Sequence, residues 1–377
     1  MIPVNTPLLE EEDIKTAEQA LREGWFSSAG RYVEEFEANW AAFCGAKHGI
    51  AVSNGTTALE VAVQALQIGK GDEVIMPSYT IISCAGAIVR AGAIPVLVDC
   101  DNFHFNMNIA DIEAKITPRT KAIMLVHMFG HPVDMDALLT VARKHGLKII
   151  EDAAQAHGAR YLSNRNTSKP EWKNCGGLGD VSTFSFFANK LITTGEGGMV
   201  VTNDDAIAAR SKSLRNLCFR PERRFLHTEL GHQFRLTSLQ SALALGQIRR
   251  IDKIVEKKRQ TAKRYREHLS GLQMLQLATE EPWAKSVFWV NWLVLDESCG
   301  LDAVQMAQAL KAKGVETRPF FLGMHEQPVF HDMGLFKGQA YPVTERIARQ
   351  GLYLPSGLAL KDEELDQVCA AVHAVLA

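Results

Sequence analysis

Residues 183–200 read TFSFFANKLITTGEGGMV, and the placement of one lysine in this stretch decides how the chain is read. Phe184, Phe186 and Phe187 are expected to be half or fully buried, and Asn189 and Lys190 interrupt their apolar run. Lysine is rarely buried without a reason, because a bare ammonium in a dry site is costly to desolvate. It escapes that cost by losing its proton, or by ceasing to be an amine in a Schiff base with an aldehyde. Gly195, Gly197 and Gly198 follow, and they allow a tight turn and close backbone approach. The same residues also fit a strand end and a surface lysine before an ordinary turn. The stretch therefore needs support from the rest of the chain.

On its N-terminal side the pattern is strand, glycine turn, helix, strand. Residues 49–52, GIAV, precede Ser53-Asn54-Gly55-Thr56, and residues 57–68, TALEVAVQALQI, carry a helical apolar stripe. EVIMP at 73–77, Ile94–Val98, Ala122–Val126 and Lys148–Ile150 read as short buried strands, with a helix over Met135–Lys144 between the last two. This alternation predicts a mostly parallel sheet covered on both faces. Right-handed crossovers then line up the strand C-terminal ends along one edge. Upstream, Pro7 sits where a first helical residue would, opening a helix through Leu21. Residues 24–30 read as a loop and Glu34–Cys44 as a second helix. After Thr237 one long charged helix is expected through Leu269. The expected division is a large domain over 1–250, with an N-terminal helical segment, and a smaller C-terminal α/β domain over 251–377. The smaller domain holds strand candidates at Phe288–Leu295 and Glu316–Phe320, and helices at Ala303–Lys313 and Glu363–Leu376.

The 377 residues, 46% hydrophobic and 22% charged, are enough for a large core and two domains. A formal charge of −2 leaves no basic footprint for nucleic acid. The seven cysteines are scattered, odd in number and free of any CxxC pair. They read as reduced thiols of a cytoplasmic protein, with no disulfide framework and no metal site. The acidic N-terminal stretch is neither a signal peptide nor a membrane anchor, and no apolar run approaches bilayer length.

Two further features bear on Lys190. Free N–H groups at the helix start over Asn54-Gly55-Thr56-Thr57, with threonine hydroxyls, make a natural phosphate cradle. Taken alone, they are better explained by an ordinary threonine-capped turn. Asp152 follows the strand KIIE at the sheet edge where α/β sites lie, and it is either a partner for a protonated ring nitrogen or another helix cap. His157 reads as a satisfied core histidine. A phosphate cradle, a ring-nitrogen carboxylate and a Schiff-base lysine are together what pyridoxal 5′-phosphate needs. Asp152 would keep the ring electron-withdrawing, and Lys190, once displaced by the substrate amine, would move the proton.

The segments WFSSAGRYVEEFE, NGTTALE, GDEVIMPSYT, GAIPVLVD, ITPRTKAIMLVHMFG, DMD, IIEDAAQAHGA, GDVSTFSFFANKLITTGEGGMVVTND, FRLTSLQSALALGQ, ETRPFF and LYLPS run in order through nearly the whole chain. In them the sequence resembles the DegT/DnrJ/StrS sugar aminotransferases, of the aspartate-aminotransferase fold type (fold type I). The resemblance implies Lys190 as the cofactor lysine, Asp152 as the ring-nitrogen partner and Gln155 near the ring. It implies Gly55, Thr56 and Ser185 as the phosphate site. It also implies a homodimer with shared active sites, in which Gln233 and Arg235 reach the neighbour's cofactor. A lysine at 190, where some members carry histidine, favours transamination over dehydration.

The resemblance further implies a nucleotide-linked 4-keto-6-deoxy sugar, GDP-4-keto-6-deoxymannose, aminated at C4 with glutamate as donor. Trp25, Ser27, Arg31, His127, Arg318 and His325, in loops that line the family's cleft, are the expected substrate contacts with Arg235. Arg220, Arg223, Arg224 and Arg235 are candidates for the diphosphate, or a solvated basic loop. The alternatives are a dTDP-linked 3- or 4-keto sugar, a dehydratase on the same cofactor, and a non-enzymatic regulator of the same fold. The chain departs from the family at Ile81, where an aromatic residue usually stacks on the ring, and at Ala188, usually glycine. It also departs at Gly231-His232-Gln233-Phe234-Arg235, usually GxNYR, and in a longer segment over Ser163–Gly177.

Overall fold

The computed structural model describes residues 1–220 and 222–377. In chain order the first strands are β1 (His48–Val52), β2 (Glu73–Pro77), β3 (Ile94–Val98), β4 (Thr120–Val126), β5 (Lys148–Asp152), β6 (Arg160–Ser163) and β7 (Glu171–Asn174). There follow β8 (Val181–Ser185), β9 (Gly198–Thr202), β10 (Leu275–Leu277), β11 (Ala284–Lys285), β12 (Asn291–Leu295), β13 (Arg318–Pro319) and β14 (Gly351–Leu354).

The large sheet has the order β1-β9-β8-β5-β4-β2-β3. Strand β9 runs antiparallel to both neighbours, and the pairs from β8 to β3 are parallel. Side chains alternate between its faces. Val74, Met76, Ala122, Met124 and Ile150 enter the main core with the helices Arg31–Cys44 and Gly55–Ala65. Ile75, Ile123, Leu125 and Ile149 face the opposite cluster, with Leu138 and Ala142 of the helix Met135–His145. Burial on both faces is why these strands read as apolar runs. Strands β1, β5 and β8 end at Val52, Asp152 and Ser185, so the turns that follow them share one edge.

A second, antiparallel sheet, β10-β12-β14-β13, has its own core with Tyr265, Met306, Leu310, Val368 and Val372. Ile2 bridges Val315 and joins that core, so the first residues of the chain pack with the C-terminal sheet. Strands β6 and β7 form a hairpin, completed by β11 into a three-stranded sheet, which accommodates the long Ser163–Gly177 segment.

Four local expectations differ from the structure. The first helix begins at Glu11 rather than Pro7, with Asp13 accepting from the Glu10 N–H at 2.8 Å. The long helix after Thr237 is two helices, Ser238–Arg249 and Ile251–Leu269, broken at Arg250 (φ −116°, ψ 18°). The Arg250 guanidinium there binds the buried Asp13 carboxylate of the first helix. The strand expected from Phe288 starts at Asn291, because Phe288 turns back at φ +46°. The Glu316–Phe320 strand shrinks to Arg318–Pro319.

Candidate active site

The turns after β1, β5 and β8 enclose a cleft of about 600 Å³. On one side Asn54 caps the helix Gly55–Ala65: its Oδ1 accepts the Thr57 N–H at 2.9 Å, and Thr57 Oγ1 accepts the Asn54 N–H at 3.2 Å. The Gly55 and Thr56 N–H groups, in the first turn, have no intrahelical acceptor. Gly55 is required by packing, since a Cβ there would lie 2.7 Å from Ser185 Cβ. Its absence lets the helix start and the Ser185 hydroxyl converge on one small volume. Thr56 Oγ1 lies 2.8 Å from Ser83 Oγ.

Asp152 is buried at the end of β5. Its Oδ1 accepts the Ala154 N–H at 3.0 Å, and its Oδ2 accepts the Cys84 thiol at 3.3 Å. Burial raises the Asp152 pKa, although Ala154, Cys84 and the nearby Lys190 oppose that shift. Lys190 lines the same cleft with only part of its side chain accessible. Desolvation pushes its ammonium down to about 8, against the pull of Asp152. Gln155 Oε1 accepts the Phe129 N–H at 2.6 Å, which leaves its amide NH₂ for the cleft. Ile81, the N-cap of the helix Ile82–Arg90, forms another wall and is 39% exposed.

These residues fit pyridoxal 5′-phosphate. The Gly55 cradle would be filled by any Cβ, Asp152 has only a weak thiol on Oδ2, and the Lys190 amine is easily deprotonated.

Other sequence candidates lie outside the lining of this cleft. His127 is fully buried, accepting the Val133 N–H on Nδ1 at 3.0 Å and pairing with Glu151 through Nε2 at 2.9 Å. Glu151 also accepts the N–H groups of Gly176, Leu178 and Gly179 and the Ser182 hydroxyl. Cys175 comes close enough to complete a metal-like triad with His127 and Glu151, but these donors already occupy the carboxylate. His325 pairs with Glu345 at 3.0 Å. Arg318 pairs with Glu316 at 2.6 Å and lines an adjoining cavity of about 320 Å³ with Asn5, Trp289 and Tyr353. Trp25 packs on Gly30, the Ser27 carbonyl accepts the Ser238 N–H at 2.6 Å, and Arg31 pairs with Glu23 at 2.9 Å. Gln233 bridges Asn216, and Arg235 donates to Gln233 Oε1 at 3.1 Å and Asn216 Oδ1 at 2.7 Å. Arg220 sits 3.7 Å from Glu222, and Arg224 lies over Phe219; neither they nor Arg223 line the cleft.

His157 is a core residue packed on Trp40, Phe184 and Phe186, and its pKa falls to about 3 through burial and then Lys190. It is not satisfied as expected: neither ring nitrogen has a hydrogen-bond partner among the described residues, although the Ser185 backbone partly opposes the shift. Phe187 is 43% exposed and lines the cleft instead of entering the core. Sequence reasoning also missed Trp289, which no quoted motif contains, and Tyr353, which lies in the LYLPS segment but was given no role; both reach the cleft from the second half of the chain. A wider surface groove of about 900 Å³ is lined by mixed charges such as Asp252, Lys253, Glu256 and Lys257, and it contains none of the candidate residues.

Comparison with known proteins agrees with this geometry. The chain is 41% identical over 376 residues to the GDP-perosamine synthase of Caulobacter vibrioides, covering 100% of this chain and 98% of that protein. It is 36% identical over 372 residues to the GDP-perosamine synthase of Vibrio cholerae, covering 99% and 98%. The fold superposes on the aminotransferase TlmJ from Streptoalloteichus hindustanus with a TM-score of 0.90 at 29% identity, covering 100% of both chains. Residues 7–373 match one family along their whole length, and the chain belongs to it: the DegT/DnrJ/EryC1/StrS aminotransferase family.

Proposed function

We propose that the protein is a pyridoxal 5′-phosphate-dependent aminotransferase that moves the amino group of glutamate to C4 of GDP-4-keto-6-deoxymannose, giving GDP-perosamine. One observation carries the aminotransferase reading: a buried carboxylate, a desolvated lysine and a free helix start share one cleft. The two relatives named GDP-perosamine synthase support the sugar and the nucleotide.

When bound, the cofactor supplies an electron sink for the carbon being deprotonated. The Gly55 and Thr56 N–H groups and the Ser185 hydroxyl would hold its phosphate, where a helix start favours an anion. Asp152 would hold the proton on the ring nitrogen, and the Gln155 NH₂ would face the ring. Ile81 would cover the ring by apolar contact. With its ammonium near 8, Lys190 exists in both protonation states close to neutral pH, as a residue that takes and returns a proton must.

The functional form would be a homodimer in which Gln233 and Arg235 complete the neighbour's cleft. Their position outside their own chain's cleft supports this reading. So do Phe225 and Leu230, which shortly precede them in sequence and are 81% and 93% exposed in the single chain. A two-fold arrangement is the commonest closed oligomer. Among the described residues no helix is long and apolar enough to cross a membrane.

Incubation with glutamate and a panel of GDP- and dTDP-linked keto sugars tests the assignment. The expected product is the GDP-linked 4-amino sugar. Amination of a dTDP substrate alone would overturn the nucleotide, and turnover of free amino acids and keto acids alone would overturn the sugar reading. Borohydride treatment should fix the cofactor to the peptide that contains Lys190.

A further inference from the structure

Trp289 stands between the cleft and the adjoining cavity and lines both. Its indole Nε1 donates to the Asn189 carbonyl at 2.8 Å, so it grips the peptide unit that leads into Lys190. The Lys190 Nζ lies 3.9 Å from the centre of the Trp289 ring. The ring presents its negative face to that nitrogen, which favours the ammonium over the amine.

The rest of the chain holds this tryptophan firmly. Phe288 adopts φ +46°, a strained conformation for a bulky residue. The Trp289 N–H binds the Phe129 carbonyl at 3.0 Å, and the Val287 N–H binds the Gly130 carbonyl at 3.2 Å. Gly130 has φ +88°, and a Cβ there would lie 2.6 Å from Val287 Cγ2 and 2.9 Å from the Gln155 carbonyl oxygen. Only glycine lets the two segments meet. From the other side Lys258, buried in the helix Ile251–Leu269, donates to the Trp289 carbonyl at 2.8 Å and to the Ser356 carbonyl. A buried amine spent on two carbonyls makes the Trp289 backbone a fixed point.

We propose that Trp289 is a positioning residue for Lys190: its N–H fixes the backbone before the lysine, and its ring holds the protonated amine over the cleft. A lysine that leaves its covalent bond during each turnover needs such a holding point, because its long side chain otherwise samples many rotamers. The proposal rests on Lys190 being the cofactor lysine. The charged and titratable groups against Lys190 are Asp152, which favours its protonation, and His157, neutral in its apolar surroundings; Glu196 also lines the cleft.

The test uses the full chain stripped of cofactor. The titration midpoint of the Lys190 amine is read by trace acetylation across neutral and alkaline pH, with mass spectrometry of the Lys190 peptide. Trp289→Leu should lower the midpoint by about half to one pH unit, while Trp289→Phe, which keeps a ring, should recover most of it. Equal midpoints in the wild type and both variants would overturn the proposal.

Trp289→Leu also removes a buried ring, so the unaltered chain is titrated with fluorinated tryptophan in place of tryptophan. Each added fluorine weakens the ring face without changing its shape. The Lys190 midpoint should fall stepwise in that series and stay constant when the series is repeated in Trp289→Phe. A flat response in the unaltered chain would overturn the proposal. Borohydride labelling of the holoenzyme separates the two ideas: a label on another lysine sinks the Lys190 assignment, whereas a label on Lys190 with a flat titration sinks only the role of Trp289.

Discussion

The Cys84 thiol donates to Asp152 Oδ2 at 3.3 Å, from the helix Ile82–Arg90 to the end of β5. A thiol is a weak donor, so one oxygen of this buried carboxylate is poorly compensated. Such a carboxylate costs free energy until a stronger, positively charged N–H arrives. In the proposed function a protonated ring nitrogen would be that donor.

Asp152→Asn should therefore retain the cofactor and lose most turnover. The amide offers a hydrogen bond without the charge that, in the proposed function, would keep the ring nitrogen protonated. The expected fall in kcat is on the order of 10²-fold or more. Cofactor absorbance and turnover, measured on the same preparation, check it. Near-normal turnover would reduce Asp152 to a cap for the turn at Ala154.

Glu151→Ala should destabilise the fold by about 3–5 kcal/mol, because it leaves the His127 Nε2–H, the Ser182 hydroxyl and the N–H groups of Gly176, Leu178 and Gly179 without an acceptor inside the protein. Burial by itself would raise the Glu151 pKa, but His127, Gly176 and Ser182 outweigh it and hold it below the ordinary value. Denaturant unfolding checks the cost. A loss under about 1 kcal/mol, that of a single ordinary hydrogen bond, would mean that the turn over Gly176–Gly179 is held by something else.

Lys258 makes a pH prediction. Burial pushes its pKa down to about 7, while in the unfolded chain it returns to about 10.4. Between those values the unfolded chain binds a proton that the folded chain does not, so this residue makes stability rise with pH. Below about 7 both states are protonated and its unfavourable contribution is constant. Unfolding free energy should therefore climb more steeply over this window in the wild type than in Lys258→Met. Parallel pH profiles would show that Lys258 stays charged in its site.

The parts of the site that were legible in the sequence are those at the ends of strands. Gly55, Asp152 and Lys190 each follow an apolar run, and the parallel sheet turns three distant positions into neighbours. The short apolar runs of β2, β4 and β5 reported a sheet buried on both faces for the same reason. Trp289 was not legible, because its place depends on the reversed φ of Phe288 and on hydrogen bonds to Phe129 and Gly130, more than a hundred residues away. The break at Arg250 was hidden as well. The apolar stripe continues across it, and its cause is Asp13, more than two hundred residues earlier in the chain.

Ile81→Tyr should tighten the cofactor modestly. Ile81 is 39% exposed on the wall of the cleft, where it offers apolar contact but no ring face. An aromatic stack contributes about 0.5–1.5 kcal/mol beyond burial, or roughly a 2- to 10-fold lower dissociation constant. Retention on dialysis of the two proteins under identical conditions measures it. A large loss of binding would place the ring elsewhere in the cleft.

The proposed shared-site homodimer predicts complementation. Lys190→Ala should be inactive because it removes the amine that, in the proposed function, would form the covalent bond and carry the proton. Arg235→Ala should be inactive, or nearly so, because it removes a cation from the neighbour's cleft. Within its own chain Arg235 is held by Gln233 and Asn216, so losing it should leave the fold intact. A mixed dimer then carries one cleft with both defects and one cleft with neither. Exchange to a statistical mixture makes half of the dimers hybrid, so about a quarter of the wild-type activity per cleft should return. Hybrid dimers are counted by differential tags, independently of activity. Hybrids present without recovered activity would mean that Arg235 serves its own chain's cleft or none, and the site would then be complete within one subunit.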